Sequence, residues 1–301
     1  MSHRRRRVLG TLIALLAIAP LAVPAAQAGS GFRPAMLNVT GWTRLASPTL
    51  AGTKLVGAPL PNAGDGIGPG SYLLIDQTDG NSYICTANFV WTDGSKTYLG
   101  AAGHCFLRAG DVVAPPATPG FRVKAVSVCV SSCAFGGQLG SVVRGDLRPL
   151  GPVVFARQSE SGQDVGNDFG LVEIPSALLA SVRHSVPVWG GPTGTPAAPG
   201  LGQRLCLYGN AGGLGEVFAT KARAGVAGQG TQSAWFASIP SAPGDSCAAV
   251  VSCPSLTGTT AAGILTHLAT NGTGFIAGTT VERARTMVYS GTGKLINVLN
   301  A

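Results

Sequence analysis

The chain has 301 residues, 44 of them glycine, with 11% charged and 45% hydrophobic residues and a formal net charge of +8. That apolar share excludes a disordered chain, glycines without a three-residue period exclude collagen, and so much glycine weakens long helices. What remains is a glycine-rich globular protein, most easily all-β, long enough to bury one large core or two small ones.

The charge is concentrated at one end. Arg4 to Arg7 precede an apolar stretch from Val8 to Val23, and Ala26-Gln27-Ala28 reads as an A-x-A cleavage site. Residues 1–28 are therefore expected to be a signal peptide that sends the protein out of the cell. The basic block serves export rather than nucleic-acid binding. Without these four arginines the 21 basic residues fall to 17, against 13 acidic ones. The apolar stretch is short and broken by Pro20, so no stable membrane insertion is expected once it is removed. Arg-Arg-Val-Leu is a loose match to a twin-arginine signal.

Residues 29–70 show little regular pattern and are rich in Gly, Pro, Ala and Leu, as in a pro-segment or an extended arm. From Ser71 the pattern changes to short apolar runs. Strands are predicted at Ser71–Ile75, Ser82–Thr86, Lys96–Leu99, Phe121–Val126 and Gly170–Ile174, with turns such as Asp79-Gly80-Asn81 and Asp93-Gly94-Ser95 between them. Residues 185–200 are rich in proline and glycine and read as a linker. Further strands are predicted at Gln203–Leu207, Glu216–Ala219, Ala248–Val251, Ala262–Thr266 and Gly274–Ala277. Thr280 then offers a capping hydroxyl to a helix over Val281–Val288. This divides the chain into 71–184, a first run of strands; 201–279, a second; and 280–301, a helix and tail.

All seven cysteines follow the signal: Cys85, Cys105, Cys129, Cys133, Cys206, Cys247 and Cys253. In an exported protein most are expected to be paired, and an odd number leaves one over. No H-E-x-x-H or paired C-x-x-C occurs, so no metal is expected. Cys129 and Cys133 lack a nearby histidine and read as a small disulfide loop rather than half a zinc site.

Three segments carry chemistry together. They are Ala101-Ala102-Gly103-His104-Cys105, with Cys85-Thr86-Ala87 upstream; Asn167-Asp168-Phe169-Gly170-Leu171-Val172; and Gly244-Asp245-Ser246 before an apolar strand. In this order of His, Asp and Ser the chain resembles the chymotrypsin-like serine proteases, especially the exported bacterial type. The resemblance covers roughly 71–288. It implies two antiparallel six-stranded β-barrels with a C-terminal helix, an active site between the barrels, and hydrolysis of peptide bonds without a cofactor. The implied partners are protein or peptide substrates.

The resemblance assigns His104 as general base, Asp168 as the carboxylate that orients it, and Ser246 as nucleophile. A serine hydroxyl is a weak nucleophile near neutral pH and needs a base within hydrogen-bond reach, and a carboxylate behind the imidazole fixes its tautomer. The N–H groups of Gly244 and Ser246 would form the oxyanion hole. Asp164 lies four residues before Asp168 and is the rival for its role. The family's disulfide at the histidine loop implies Cys85–Cys105. Cys206–Cys253 would leave Cys247 over, while Cys206–Cys247 and Cys247–Cys253 stay open. Cys247 itself stands one residue past the expected nucleophile, and strand alternation turns it away.

Several residues depart from the family pattern. Cys247-Ala248 follows the serine where the family usually has glycine, so a side chain would crowd the oxyanion turn. Leu55-Val56-Gly57 only loosely echoes the family's new N-terminus, which in many members pairs with the acid before the serine, so Asp245 has either that amine or an arginine as partner. In this family the pocket floor lies six residues before the serine, here Pro240. Ser241, Ala242 and the stretch Thr266-His267-Leu268 would form the walls. His184 and His267 read as structural or substrate-edge residues.

Overall fold

The computed structural model describes residues 42–44, 49–50, 65–107, 121–136, 142–159, 164–210, 221–269 and 275–301, all within one unit spanning Pro34–Ala301. The expected signal peptide, the strand at Glu216–Ala219 and the Leu55-Val56-Gly57 segment lie outside the described residues. Two short strands come first, β1 (Trp42–Arg44) and β2 (Thr49–Leu50). The N-terminal half then holds β3 (Tyr72–Gln77), β4 (Ser82–Thr86), β5 (Val90–Thr92), β6 (Thr97–Ala101), β7 (Val123–Cys129), β8 (Ala134–Gly136), β9 (Val142–Arg144), β10 (Leu147–Pro149), β11 (Val153–Arg157) and β12 (Phe169–Glu173). The C-terminal half holds β13 (Arg204–Tyr208), β14 (Ala222–Ala227), β15 (Ala234–Ser238), β16 (Ala249–Ser252), β17 (Thr260–Ala269), β18 (Phe275–Thr280), α1 (Val281–Thr292) and β19 (Asn297–Val298).

The C-terminal half closes on itself. Antiparallel ladders run β17–β16–β13–β14–β15–β18 and return from β18 to β17, giving a six-stranded barrel. The strands that build it are short runs of Ala, Val, Leu and Ile. Leu205, Leu207, Trp235, Ala237, Val250, Ala262, Leu265 and Ile276 meet in its interior. Closure leaves those strands with few bare edges.

The N-terminal half, expected to form the other barrel, shows no closed ladder among the described residues. Among the described residues it forms a two-stranded ribbon, β8-β9, and two five-stranded sheets, β10-β7-β3-β4-β2 and β11-β12-β6-β5-β19, the last completed by β19 from the C-terminal end. The chain bends from one sheet to the other at two corners, 87–89 and 150–152, and each corner has a local cause. At the first, the Asn88 side chain turns back and accepts from Phe89 N (2.8 Å) and Trp91 Nε1 (3.0 Å), which breaks the strand. At the second, Pro149 and Pro152 bring no N–H to a ladder. Side chains alternate along β3: Leu73 and Ile75 are buried and Leu74 and Asp76 are partly exposed.

The helix is four residues longer than predicted. Thr280 Oγ1 accepts from Arg283 N (3.2 Å), and the chain ends the helix at Gly293, whose φ of 73° is left-handed. The helical ladder runs through Ser290-Gly291. Arg283 also reaches back, with Nε donating to Asn167 Oδ1 (3.1 Å) and to Gly166 O (3.3 Å). The helix therefore fixes the loop that leads into Asp168.

Candidate active site

His104 sits in a tight 3-10 turn, Gly103–Cys105, that follows β6 directly. A disulfide joins Cys105 to Cys85 at the end of β4, twenty residues earlier. A bridge closing a loop of that length stabilises a fold by about 3 kcal/mol. Replacing both cysteines by alanine is expected to lower the free energy of unfolding in urea by about that amount. An unchanged midpoint, or free thiols at both positions on non-reducing peptide mapping, would contradict the bridge.

Asp168 is buried where β12 begins. The next residue, Phe169, is locked between Trp91 (ring centroids 5.1 Å) and Phe155 (6.4 Å), and such aromatic pairs each add on the order of 1 kcal/mol. On its other side, Thr279 Oγ1 in β18 donates to Asp168 O (2.8 Å) and accepts from Asp168 N (3.3 Å). Held in this way, the carboxylate takes two bonds from one residue: Oδ1 accepts from His104 N (3.0 Å) and Oδ2 faces His104 Nδ1 at 2.6 Å. Burial alone would raise the Asp168 pKa. The His104 charge and hydrogen bonds, helped by His267, outweigh burial and hold it below the usual carboxylate range. Asp164 is exposed and bonds Asn167 instead. Of the two acids, only Asp168 is bonded to His104.

A carboxylate on Nδ1 makes that nitrogen the donor and leaves Nε2 as the lone-pair nitrogen. Nε2 lies 3.1 Å from Ser246 Oγ. The turn carrying Ser246 is pinned by strands on two sides. From β4, Thr86 N donates to Ser246 O (2.9 Å) and Thr86 Oγ1 to Gly244 O (2.8 Å). From β17, Leu265 O accepts from Cys247 N (2.7 Å). Gly244 has φ 103°, a conformation that side chains rarely adopt, so glycine is needed there.

The residue before the serine is anchored by a partner that sequence reading left unnamed. Asp245 is buried and forms a two-pronged ion pair with Arg223 of β14, Nη1 to Oδ2 at 2.6 Å and Nη2 to Oδ1 at 2.5 Å. Ala242 N donates to the same carboxylate (2.9 Å). Gly209 makes room for the pair, since a Cβ there would stand 2.2 Å from Asp245 Oδ1. One signal for Arg223 exists in the sequence, a lone arginine within the otherwise small and apolar run Ala222–Ala227.

Further disulfides join Cys129 to Cys133 and Cys206 to Cys253, which leaves Cys247 as the free cysteine. Cys247 is buried with φ 78°, and its sulfur lies 2.7 Å from that of Cys105. Burial pushes its thiol well above the ordinary value, the opposite of what a cysteine nucleophile requires. The residues expected around a substrate pocket differ in their exposure. Pro240 is exposed, and its carbonyl accepts from Arg223 Nη1 (3.0 Å). Ser241 is partly exposed and Ala242 is buried. His267 is buried, with Nδ1 2.6 Å from Thr266 Oγ1, while Leu268 is partly exposed. His184 Nδ1 bonds Asn300 O (2.8 Å), a structural contact.

No protein-family model matches this chain, and no curated protein does. Solved structures similar to it are serine proteases, the family its motifs resemble. A thermostable serine protease, AL20, from an extremophilic microorganism is 14% identical, with 74% of this chain and 96% of that one covered and a TM-score of 0.49. The protease Anisep from Arthrobacter nicotinovorans is 16% identical over 75% and 98% of the two chains, TM-score 0.48. A glutamic acid-specific serine protease that uses a histidine triad in substrate binding is 18% identical over 77% and 100%, TM-score 0.43.

Proposed function

We propose that this chain is an exported serine endopeptidase of the chymotrypsin-like type, hydrolysing peptide bonds through an acyl-enzyme. The reading rests above all on the unbroken line Asp168 Oδ2–His104 Nδ1 (2.6 Å) and His104 Nε2–Ser246 Oγ (3.1 Å). Ser246 Oγ attacks the carbonyl carbon while its proton passes to Nε2. The imidazolium so formed is stabilised by Asp168. The C–N bond then breaks as the imidazolium protonates the leaving amine, and water repeats the sequence on the ester. Gly244 N and Ser246 N are assigned to the developing oxyanion, donors worth roughly 2.7–4 kcal/mol each in related chemistry. Arg223 holds Asp245, and through it the shape of that turn. Labelling to completion with a fluorophosphonate tests the reading, with a label on Ser246 expected and none on the Ser246→Ala protein. A second reading, a protease-like binding protein without activity, is favoured by one feature, the cysteine side chain at 247. An unlabelled native serine would support it.

The reading extends to specificity. The floor position is Pro240, and no carboxylate occurs from 232 to 244. The nearest acid, Asp245, is already paired with Arg223. A substrate lysine head buried there would lack a partner and would cost several kcal/mol. Ser241 Oγ, buried and without a hydrogen-bond partner, offers one hydroxyl. Cleavage of a mixed peptide library is therefore expected after small or apolar residues. Dominant cleavage after Lys or Arg would overturn this assignment of the pocket.

A further inference from the structure

Three sulfurs meet beside the catalytic pair. Cys105 follows His104 and Cys247 follows Ser246, and their sulfurs lie 2.7 Å apart. Cys105 is at the same time bridged to Cys85. All three belong to one buried cluster, while the other four cysteines pair with each other in different clusters. The bridge within reach of the free Cys247 is therefore the one at Cys105. The backbone at Cys247 is left-handed, φ 78°, a conformation that glycine adopts freely and a side chain only at a cost. Cys247 N donates to Leu265 O (2.7 Å) and Ala248 N to Asp245 O (2.9 Å), so the turn that carries the sulfur is fixed on both sides. A thiolate in contact with a disulfide sulfur can displace its partner. Closing the gap between Cys247 and Cys105 to a bond takes a shift of under about 1 Å.

We propose that Cys85, Cys105 and Cys247 form an internal disulfide relay, in which the bridge at Cys105 passes from Cys85 to Cys247. The Cys247 sulfur gives up its proton and attacks Cys105 Sγ. The Cys105–Cys85 bond breaks as the Cys247–Cys105 bond forms, and its electron pair leaves on Cys85 Sγ, which takes up a proton. Bridges and thiols stay equal in number, so no oxidant or reductant enters. Before the exchange the His104 turn is tied to β4 in its own half of the chain. Afterwards it is tied, across 142 positions of sequence, to the turn of the nucleophile. The bond then joins the residues next to His104 and Ser246 directly, and it holds them together in molecules that have lost the tie to Cys85. Burial and the charge of Asp168 push the Cys247 thiol well above its ordinary value, against a backbone hydrogen bond with Ala102, so the exchange starts slowly. The relay's chemistry stands by itself, and its value for catalysis rests on the protease reading above.

Counting free thiols in denaturant, after an acid quench that stops further exchange, tests it. Cys85→Ala leaves Cys105 and Cys247 outside the other two bridges. No free thiol is expected in this variant, and non-reducing mapping should find a joined Cys105–Cys247 peptide. Two free thiols in the folded variant would overturn the proposal. If that variant does not fold, the wild-type chain decides, held folded for a day at about pH 9 before the quench. Alkylation of Cys85 together with a joined Cys105–Cys247 peptide supports the relay, and alkylation of Cys247 alone overturns it. Activity gives an independent arm. Cys247→Ala removes the last bridge from Cys105 in the Cys85→Ala background but not in the wild type. It is expected to slow fluorophosphonate labelling on the order of tenfold more in that background than in the wild type. Equal changes in the two backgrounds would overturn the relay's part in holding the catalytic pair. If no form labels, the protease reading falls, and the thiol counts still decide the relay.

Discussion

Replacing Ser246 or His104 by alanine is expected to lower kcat by roughly 10⁴–10⁶-fold, and the double replacement is expected to lose no more than either alone. The two side chains act as one device. Nε2 at 3.1 Å from Oγ has a purpose only if the hydroxyl is present to lose its proton. Asp168→Asn is expected to cost about 10⁴-fold with the fold kept, because an amide facing Nδ1 favours the wrong tautomer. Steady-state kinetics on a peptide substrate checks all three, with circular dichroism as the control for folding. Additive losses in the double mutant would mean that the two residues serve different steps. Full activity in Ser246→Ala would end the serine-protease reading.

The second large effect concerns the pair beneath the turn. Arg223 is 6% exposed and Asp245 is fully covered, and their two-pronged contact satisfies both charges. Removing one partner leaves the other charged and buried. Arg223→Met is therefore expected to destabilise the protein by about 3–5 kcal/mol, measured by urea unfolding. Arg223→Met with Asp245→Asn removes both charges and should recover much of that loss. Activity should stay low in both, because the carboxylate that shapes the turn through Ala242 N is orphaned in one and absent in the other. A change in stability below about 1 kcal/mol for Arg223→Met would show that water reaches the carboxylate and the pair carries little.

Much about this protein is written locally. The apolar run Leu73-Leu74-Ile75, the capping hydroxyl of Thr280 before Val281 and the glycine in Gly244-Asp245-Ser246 each act over a few residues, so local sequence alone places a strand, a helix start and a turn. The His104, Asp168 and Ser246 segments are recognisable for the same reason, since each lies in a short stretch whose neighbours prepare its conformation. Ala222–Ala227 shows the limit of such reading. Its alanines and glycine have little preference for a strand, and pairing with β13 makes it one.

The tertiary structure alone decided what depends on register between distant segments. Asp245 takes Arg223 because the ladder of β13 and β14 sets Arg223 opposite Leu207, two residues before the close approach at Gly209. Cys247 is the odd cysteine because β13 brings Cys206 to Cys253 and β4 brings Cys85 to Cys105. Among the described residues, the ladders of the N-terminal half part at Asn88 and at Pro149 and Pro152, breaks visible only once the partner strands are known. The arm at 42–44 has no strong strand pattern of its own. It becomes a strand because β17 continues past β16 and leaves an edge whose hydrogen-bonding groups need a partner.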